Sequence, residues 1–212
     1  MNPFYDAFAF LIRAWWPILI LWALLLGGIG VAVWNLRRFP ELRTAEHIWM
    51  WITRTLIGIL WWQQSLWKLP PTYTDNPDGV SGGLHHWVNE MVKFAAFPLQ
   101  SAFVKEVIQP NFYFFAAQVY TAEVVIAVSL LLGLWARAGG ALGFLMAINL
   151  WLGLYRASYE WPWTYFFLIL LQGTFVVFHA GRSLGIDAIL ARRECAAAAP
   201  RRALARVLAY LT

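Results

Sequence analysis

Residues 17–34 read PILILWALLLGGIGVAVW, an apolar run without a charged residue. About 20 such residues form a helix long enough to cross the roughly 30 Å hydrocarbon core of a bilayer. Four more apolar stretches follow, at about 48–67, 113–135, 139–155 and 162–181. This pattern predicts an all-α integral membrane protein, a compact bundle of five membrane spans.

The composition excludes an ordinary soluble domain. Of the 212 residues, 61% are hydrophobic and 13% are charged, whereas soluble domains carry about 25% charged residues. The formal charge of +5 is interpreted as a signal of topology and of contact with anionic membrane lipids, not with nucleic acid. The single cysteine, Cys195, excludes an internal disulfide and a relay between two thiols of this chain.

The apolar runs and the segments between them divide the chain into three parts. Residues 1–47 are expected to hold the first span and a basic cytoplasmic loop. Residues 48–187 form the membrane core, and the segment 70–112 within it is expected to fold as two short interfacial helices that cap the outer face. Residues 188–212 form a basic tail, in which an amphipathic helix beginning at Pro200 is expected to lie on anionic lipid.

Basic residues near the ends of the spans predict the orientation, because cytoplasmic loops carry more Lys and Arg. The N-terminus is then outside and the C-terminus is cytoplasmic, as an odd number of spans requires. The richer, cytoplasmic side holds Arg37, Arg38, Arg43, Arg137, Arg182, Arg192 and Arg193. The outer side holds Arg13, Lys68, Lys93, Lys105 and Arg156.

Two charged residues fall near the middle of predicted spans, where a charge costs a few kcal/mol or more. Arg54 lies in the second span and Glu123 in the third. One interpretation is a buried ion pair that only locks two antiparallel helices. A second is that the pair places or tunes a proton-active site, and a third is that the two residues do not touch.

The second span also carries a continuous face. Its members follow one another at spacings of three or four, which puts them on one side of a helix: Arg54, Gly58, Trp61, Ser65 and Lys68. Amides lie near this face or at similar depth, at Gln64, Gln118 and Asn149.

These amides have two interpretations. They are either interhelical glue or the lining of a small polar pocket, with Trp61, in which a quinone head group finds hydrogen-bond donors and a flat aromatic wall. Arg54, Glu123 and Lys68 are the candidate catalytic residues. Trp61, Gln64, Gln118 and Asn149 are the candidate quinone-binding residues. The histidines lack the spacing of a metal site and no nucleotide-binding fingerprint is present, so neither a metal nor a nucleotide cofactor is expected.

Four motifs occur in order over residues 49–187. They are Arg54-x3-Gly58 with Lys68-Leu69; Pro110-Asn111-Phe112 followed by Glu123, 130–134 (LLLGL) and Arg137; Trp161-Pro162-Trp163; and Ala180-Gly181 with Gly185-Ile186-Asp187. In these motifs the chain resembles the DoxX/DoxD family of small membrane proteins, which includes the DoxD-type subunit of thiosulfate:quinone oxidoreductase. One departure is Ser65, where the family often has glycine.

The resemblance implies a DoxX-like core of four helices, with residues 17–34 as an extra N-terminal helix. It implies a quinone-linked redox system in the plasma (inner) membrane of a prokaryote, with electrons passing from thiosulfate or a similar small reduced sulfur anion to membrane quinone. The partners implied are other membrane or soluble redox subunits. The alternative is a non-catalytic docking subunit of a larger respiratory or other energy-converting complex. A transporter is disfavoured because no internal repeat is visible.

Overall fold

In the computed structural model, which describes residues 2–13, 15–73 and 83–195, the chain is helical and those residues contain no strand. The α-helices, in chain order, are α1 (Pro3–Ile12), α2 (Trp16–Arg38), α3 (Ala45–Leu66), α4 (Gly83–Phe94), α5 (Pro98–Phe103), α6 (Phe112–Leu132), α7 (Ala136–Gly153), α8 (Pro162–Val177) and α9 (Ile186–Cys195). The predicted all-α class is therefore confirmed. Helices α1 and α9 were not predicted, and the predicted tail helix at 200–212 lies outside the described residues.

In the part of the chain that the structure describes, length and hydropathy identify two helices that are able to cross a membrane. One is α2, and the other is the continuous helical segment Pro98–Leu132. Helix α8 is also apolar but has 16 residues. These helices favour a membrane protein, while the five predicted spans, which match α2, α3, α6, α7 and α8 in position, stay a prediction.

The second short helix of the predicted cap is not separate from the following span. Helix α5 runs through a π-helical segment, Val104–Ile108, and a 3-10 turn, Gln109–Asn111, directly into α6. Pro110 lacks a backbone N–H and would interrupt a regular α-helix. Here Pro110 occupies one of the first two positions of the 3-10 turn. The π-helical segment and the 3-10 turn together allow the helix to continue past the proline.

Two pairs of antiparallel helices form the centre of the bundle. Helix α3 packs along α6, α7 packs along α8, and α6 also contacts α7. Helix α2 lies against α6 and α3. The shared core contains Ile18, Leu21, Ile126, Leu130 and Phe175.

The predicted face is confirmed, because all five of its members are buried: Arg54, Gly58, Trp61 and Ser65 in α3, and Lys68 in the turn directly after it. Gly58 allows α6 to come close. A Cβ atom added there would lie 3.0 Å from the Leu131 side chain and 3.1 Å from the Leu131 nitrogen.

The end of the bundle predicted to be cytoplasmic is tied together by contacts between distant parts of the chain. Arg192 pairs with Glu41 at 2.8 Å, which links α9 to the turn after α2. Asn35, fully buried, donates to the Gly185 carbonyl at 3.0 Å. His47 at the start of α3 is 2.9 Å from the Ser183 hydroxyl. Helix α9 therefore belongs to the packed bundle and is not part of a free tail.

We predict that Gly28→Ala destabilises the protein while Gly30→Ala does not. A Cβ at Gly28 would lie 2.6 Å from the Leu131 carbonyl oxygen, whereas a Cβ at Gly30 has no neighbour within 4 Å. The steric overlap would reduce the free energy of unfolding of the Gly28 variant by about 1–3 kcal/mol. Its unfolding temperature would then fall by roughly 2–10 °C. Thermal unfolding in detergent measures both variants. Equal midpoints would contradict the docking of α2 on α6.

Candidate functional site

Four of the buried charged residues form two groups in different halves of the bundle. Lys68 and Glu123 lie in the half that faces α4 and α5, which is the half predicted to be outer. Arg54 and Asp187 lie at the other end, near the C-terminus of α6. The polar interior predicted as one site is therefore two sites with different surroundings.

The first group is a buried ion pair. Lys68 Nζ donates to Glu123 Oε1, and the two side chains are 6% and 2% exposed. The Lys68 ammonium also lies 4.0 Å from the centre of the Trp67 ring, a cation–π contact. Removing a charge from water costs several kcal/mol per ion, which is offset only when the partner is well placed. The pair therefore stabilises two charges that neither helix would tolerate alone.

A cavity of about 570 Å³ opens beside this pair, enclosed by α3, α4, α6, α7 and α8. Its volume falls within the range of about 300–1,000 Å³ that is typical of sites for small organic ligands. Most of its wall is apolar and aromatic. The polar and indole side chains of the wall that matter here are Trp61, Gln64, Lys68, Trp87, Glu123 and Asn149.

Of the four residues predicted to bind quinone, Trp61, Gln64 and Asn149 line the cavity and Gln118 does not. The α6 side of the wall consists of Phe112, Phe115, Ala116, Val119 and Glu123. Gln118 precedes Glu123 by five positions, which places it about 140° around the helix, and its side chain is exposed. The prediction is corrected for Gln118: similar depth did not imply the same helix face.

The cavity opens sideways between α3 and α8. Leu60 on α3 and Phe167 on α8 both line it, and they are 49% and 53% exposed at the protein surface. These two helices do not pack extensively on each other in the described part of the chain. The cavity is therefore open to the protein surface between these two helices.

Three polar atoms of the wall residues have no hydrogen-bond partner among the described residues. Two are donors, the indole N–H groups of Trp61 and Trp87, and the third is an acceptor, Glu123 Oε2. Buried polar groups are normally paired, and an unpaired one costs about 1–3 kcal/mol. Three residues of the cavity wall therefore retain a buried polar atom whose hydrogen bond is not made within the described part of the chain.

A second carboxylate stands at another part of the wall. Tyr165 donates its hydroxyl to Glu160 Oε2 at 3.0 Å, and both residues line the cavity. Glu160 is partly exposed and precedes α8. It therefore connects the cavity to the end of the bundle at which α4 and α5 lie.

Helix α4 is fastened over the cavity by Glu90. Lys93 donates to its Oε1 at 2.7 Å, and the Tyr159 hydroxyl donates to its Oε2. These two hydrogen bonds lower the pKa of Glu90, so Glu90 is ionised at neutral pH. Burial, together with the Glu90 carboxylate, raises the pKa of Tyr159 to about 12, which keeps its hydroxyl a donor.

Three cations of the side predicted to be outer have protein partners: Lys68, Lys93 and Arg156. Lys68 is paired with Glu123 and Lys93 with Glu90. Arg156 donates to the Ala96 carbonyl at 3.1 Å, which holds the chain between α4 and α5 against the α7–α8 loop. Among the described residues no group of three or more His, Cys, Asp or Glu side chains is arranged to hold a metal ion.

The second group of charges joins the ends of three helices, α6, α7 and α9, to the interior of α3. Asp187, fully buried, accepts from the Trp135 N–H at 2.8 Å and from the Ala136 N–H at 2.9 Å. It therefore satisfies free donors at the N-terminus of α7. Burial raises the pKa of Asp187 to about 6, against the opposing influence of these N–H groups and of Arg54.

Arg54 faces this carboxylate and not Glu123. Its Nη1 donates to the Leu130 carbonyl, and a Cβ at Gly133, which has a φ of +63°, would lie 2.7 Å from the same nitrogen. Leu130 is seven positions beyond Glu123, or about 10 Å along the helix axis. Of the three interpretations for Arg54 and Glu123, the structure therefore supports the absence of contact.

Asp187 was part of a quoted motif but was not chosen as a site residue. Its signal in the sequence was an acidic residue directly after Gly185-Ile186, at the start of a helix, where a carboxylate is favourable. The sequence alone could not show that α9 brings Asp187 to the N-terminus of α7, because this depends on how the helices of the bundle pack.

Comparison with known proteins adds no relative: no family model, no curated protein and no solved structure matches this chain. The resemblance to the DoxX/DoxD family therefore rests on the quoted motifs. Residues of three of these motifs, Arg54, Gly133, Gly185 and Asp187, meet at one end of the bundle.

We predict that Asp187→Asn destabilises the fold. An amide has one acceptor oxygen, so one of the two N–H groups at the start of α7 would lose its partner, at a cost of about 1–3 kcal/mol. The exposed Asp6 in α1 provides the matched control, Asp6→Asn. Unfolding midpoints in detergent should fall for the first variant only. A midpoint of Asp187→Asn equal to that of the control would show that the cap contributes nothing.

Proposed function

We propose that this protein is the membrane subunit of a quinone-linked redox system and that the cavity binds the quinone head group. The observation that carries the proposal is a cavity of about 570 Å³ that opens to the protein surface beside the exposed side chains of Leu60 and Phe167 and is lined by aromatic rings, with a buried ion pair and donors without a partner among the described residues in its wall. A quinone needs such a combination, because its ring is flat and apolar while its two oxygens accept hydrogen bonds.

The residues present fit that ligand. The N–H groups of Trp61 and Trp87 are donors without partners, suited to the carbonyl oxygens. Gln64 and Asn149 add amides to the wall. The opening between Leu60 and Phe167 lets an isoprenoid tail remain in the bilayer. A free soluble metabolite would have no need of a side entrance into lipid.

Reduction of a quinone consumes two electrons and two protons. The proposed electron source is thiosulfate or a similar small reduced sulfur anion, two of which release two electrons when they are joined by a sulfur–sulfur bond. Since Lys68, Lys93 and Arg156 already have protein partners, this donor is proposed to be presented by a partner subunit on the outer face. Glu160 and Tyr165, between the cavity and the outer end, are placed to supply protons.

The proposed arrangement has five spans in the plasma membrane of a prokaryote, with the N-terminus outside and the C-terminus cytoplasmic. It is supported by the arginines that gather at one end of the bundle, including Arg43 and Arg192, since cytoplasmic loops are enriched in them. Anionic lipids would neutralise the positive charge of these arginines.

We predict that the purified protein in lipid nanodiscs binds decylubiquinone and that Trp61→Phe weakens binding about three- to tenfold. Phenylalanine keeps an aromatic ring and removes the indole N–H, so the loss is one hydrogen bond of about 0.5–1.5 kcal/mol. The control is Trp49→Phe on the same helix, because Trp49 is 69% exposed and does not line the cavity. Equilibrium dialysis measures all three proteins.

No binding up to the solubility limit of the probe would contradict the proposed function. That result would favour the alternative, a non-catalytic docking subunit, in which the cavity is filled by a lipid or by a partner helix. Equal loss in the two tryptophan variants would place the ligand elsewhere.

We predict that a fluorescent protein fused after the last residue folds in the cytoplasm and fluoresces, while alkaline phosphatase at the same position is inactive. The same reporters fused before the first residue, as N-terminal partners, should give the opposite result, because an odd number of spans puts the termini on opposite sides. Both assays are read in whole bacterial cells. Identical behaviour at the two termini would contradict five spans.

A further inference from the structure

We infer that the cavity binds a hydroquinone more tightly than the corresponding quinone, with Glu123 as the residue that distinguishes the two. This inference rests on the proposed function and names the redox form that the same site prefers. It follows from the polar atoms of the wall residues that have no hydrogen-bond partner among the described residues.

Glu123 supplies the decisive atom. Its Oε1 accepts from Lys68, while its Oε2 has no partner among the described residues. The residue is 2% exposed, yet it belongs to the cavity wall. A carboxylate oxygen that is removed from water and left without a donor is unfavourable, so a ligand that donates to it gains more than an ordinary hydrogen bond.

The two redox forms differ in whether they are able to donate. A quinone has only carbonyl oxygens, which accept from Trp61 and Trp87 but bring a second partial negative charge toward Glu123. A hydroquinone has hydroxyl groups, each of which donates and accepts. It therefore keeps the bonds from the indoles and adds an O–H···O⁻ bond to Glu123, a charge-assisted bond that is stronger than a neutral one.

The preference has a consequence for the direction of electron flow. A site that binds the reduced form more tightly raises the midpoint potential of the bound couple. For a two-electron couple, about tenfold tighter binding corresponds to about 30 mV. The protein would thereby favour the transfer of electrons from the donor to the bound quinone.

The test compares anaerobic binding of decylubiquinol and decylubiquinone to the protein in nanodiscs. The wild-type protein should bind the quinol about tenfold more tightly or better. Glu123→Gln keeps the size of the side chain and adds an amide N–H that donates to a carbonyl, so the preference should vanish or reverse. The control is Glu46→Gln, since Glu46 is exposed at the start of α3 and does not line the cavity, so the preference should persist.

Glu123→Gln also leaves Lys68 without its partner, and the variant is at risk of not folding. The double variant Lys68→Met with Glu123→Gln removes both charges and should also lose the preference. Equal affinity of the wild-type protein for the two forms would overturn the inference while leaving the proposed function intact. An unchanged preference in the folded Glu123 variants would overturn it as well. Binding of neither form would instead count against the proposed function.

Discussion

The buried ion pair between Lys68 and Glu123 is the interaction on which the rest of the account depends. Each charge alone would be costly in the interior of a membrane bundle, and together they fix α3 against α6. The pair also lies in the wall of a cavity, where one carboxylate oxygen is left without a partner. A contact needed only to lock two helices would have no reason to adjoin an aromatic cavity. The same two side chains therefore join α3 to α6 and form part of the wall of the cavity in which we propose that a ligand binds.

The second set of charges has a different task. Asp187 caps α7, and Arg54 lies beside the left-handed Gly133 that ends α6. Because these groups are packed against backbone and are fully buried, they hold helix ends together instead of facing a ligand. The bundle is thus closed at this end by charge and backbone hydrogen bonds. At the opposite end, α4 covers a cavity that remains open to the side, so the rigid end supports the accessible one.

Much of the fold could be predicted from the sequence, because it depends on local properties. The apolar runs locate α2, α3, α6, α7 and α8, and the three- and four-residue spacings identify the buried face of α3. The partners of the charges could not be predicted in this way. Arg54 and Glu123 have similar depths in the sequence, but their pairing depends on the stagger of α3 against α6, which places Arg54 beside Leu130. The position of Gln118 could not be predicted for a related reason. Which side of α6 faces the cavity is known only when the neighbouring helices are placed.

The most direct measurement is a crystal structure of the protein grown from a lipid phase with a brominated quinol, in which the bromine is located by its anomalous scattering. The account predicts one strong peak in the cavity, with the ring between Trp61 and Trp87 and a ligand oxygen within hydrogen-bond distance of Glu123. A peak at the lipid-facing surface with the cavity occupied by an acyl chain would contradict the account.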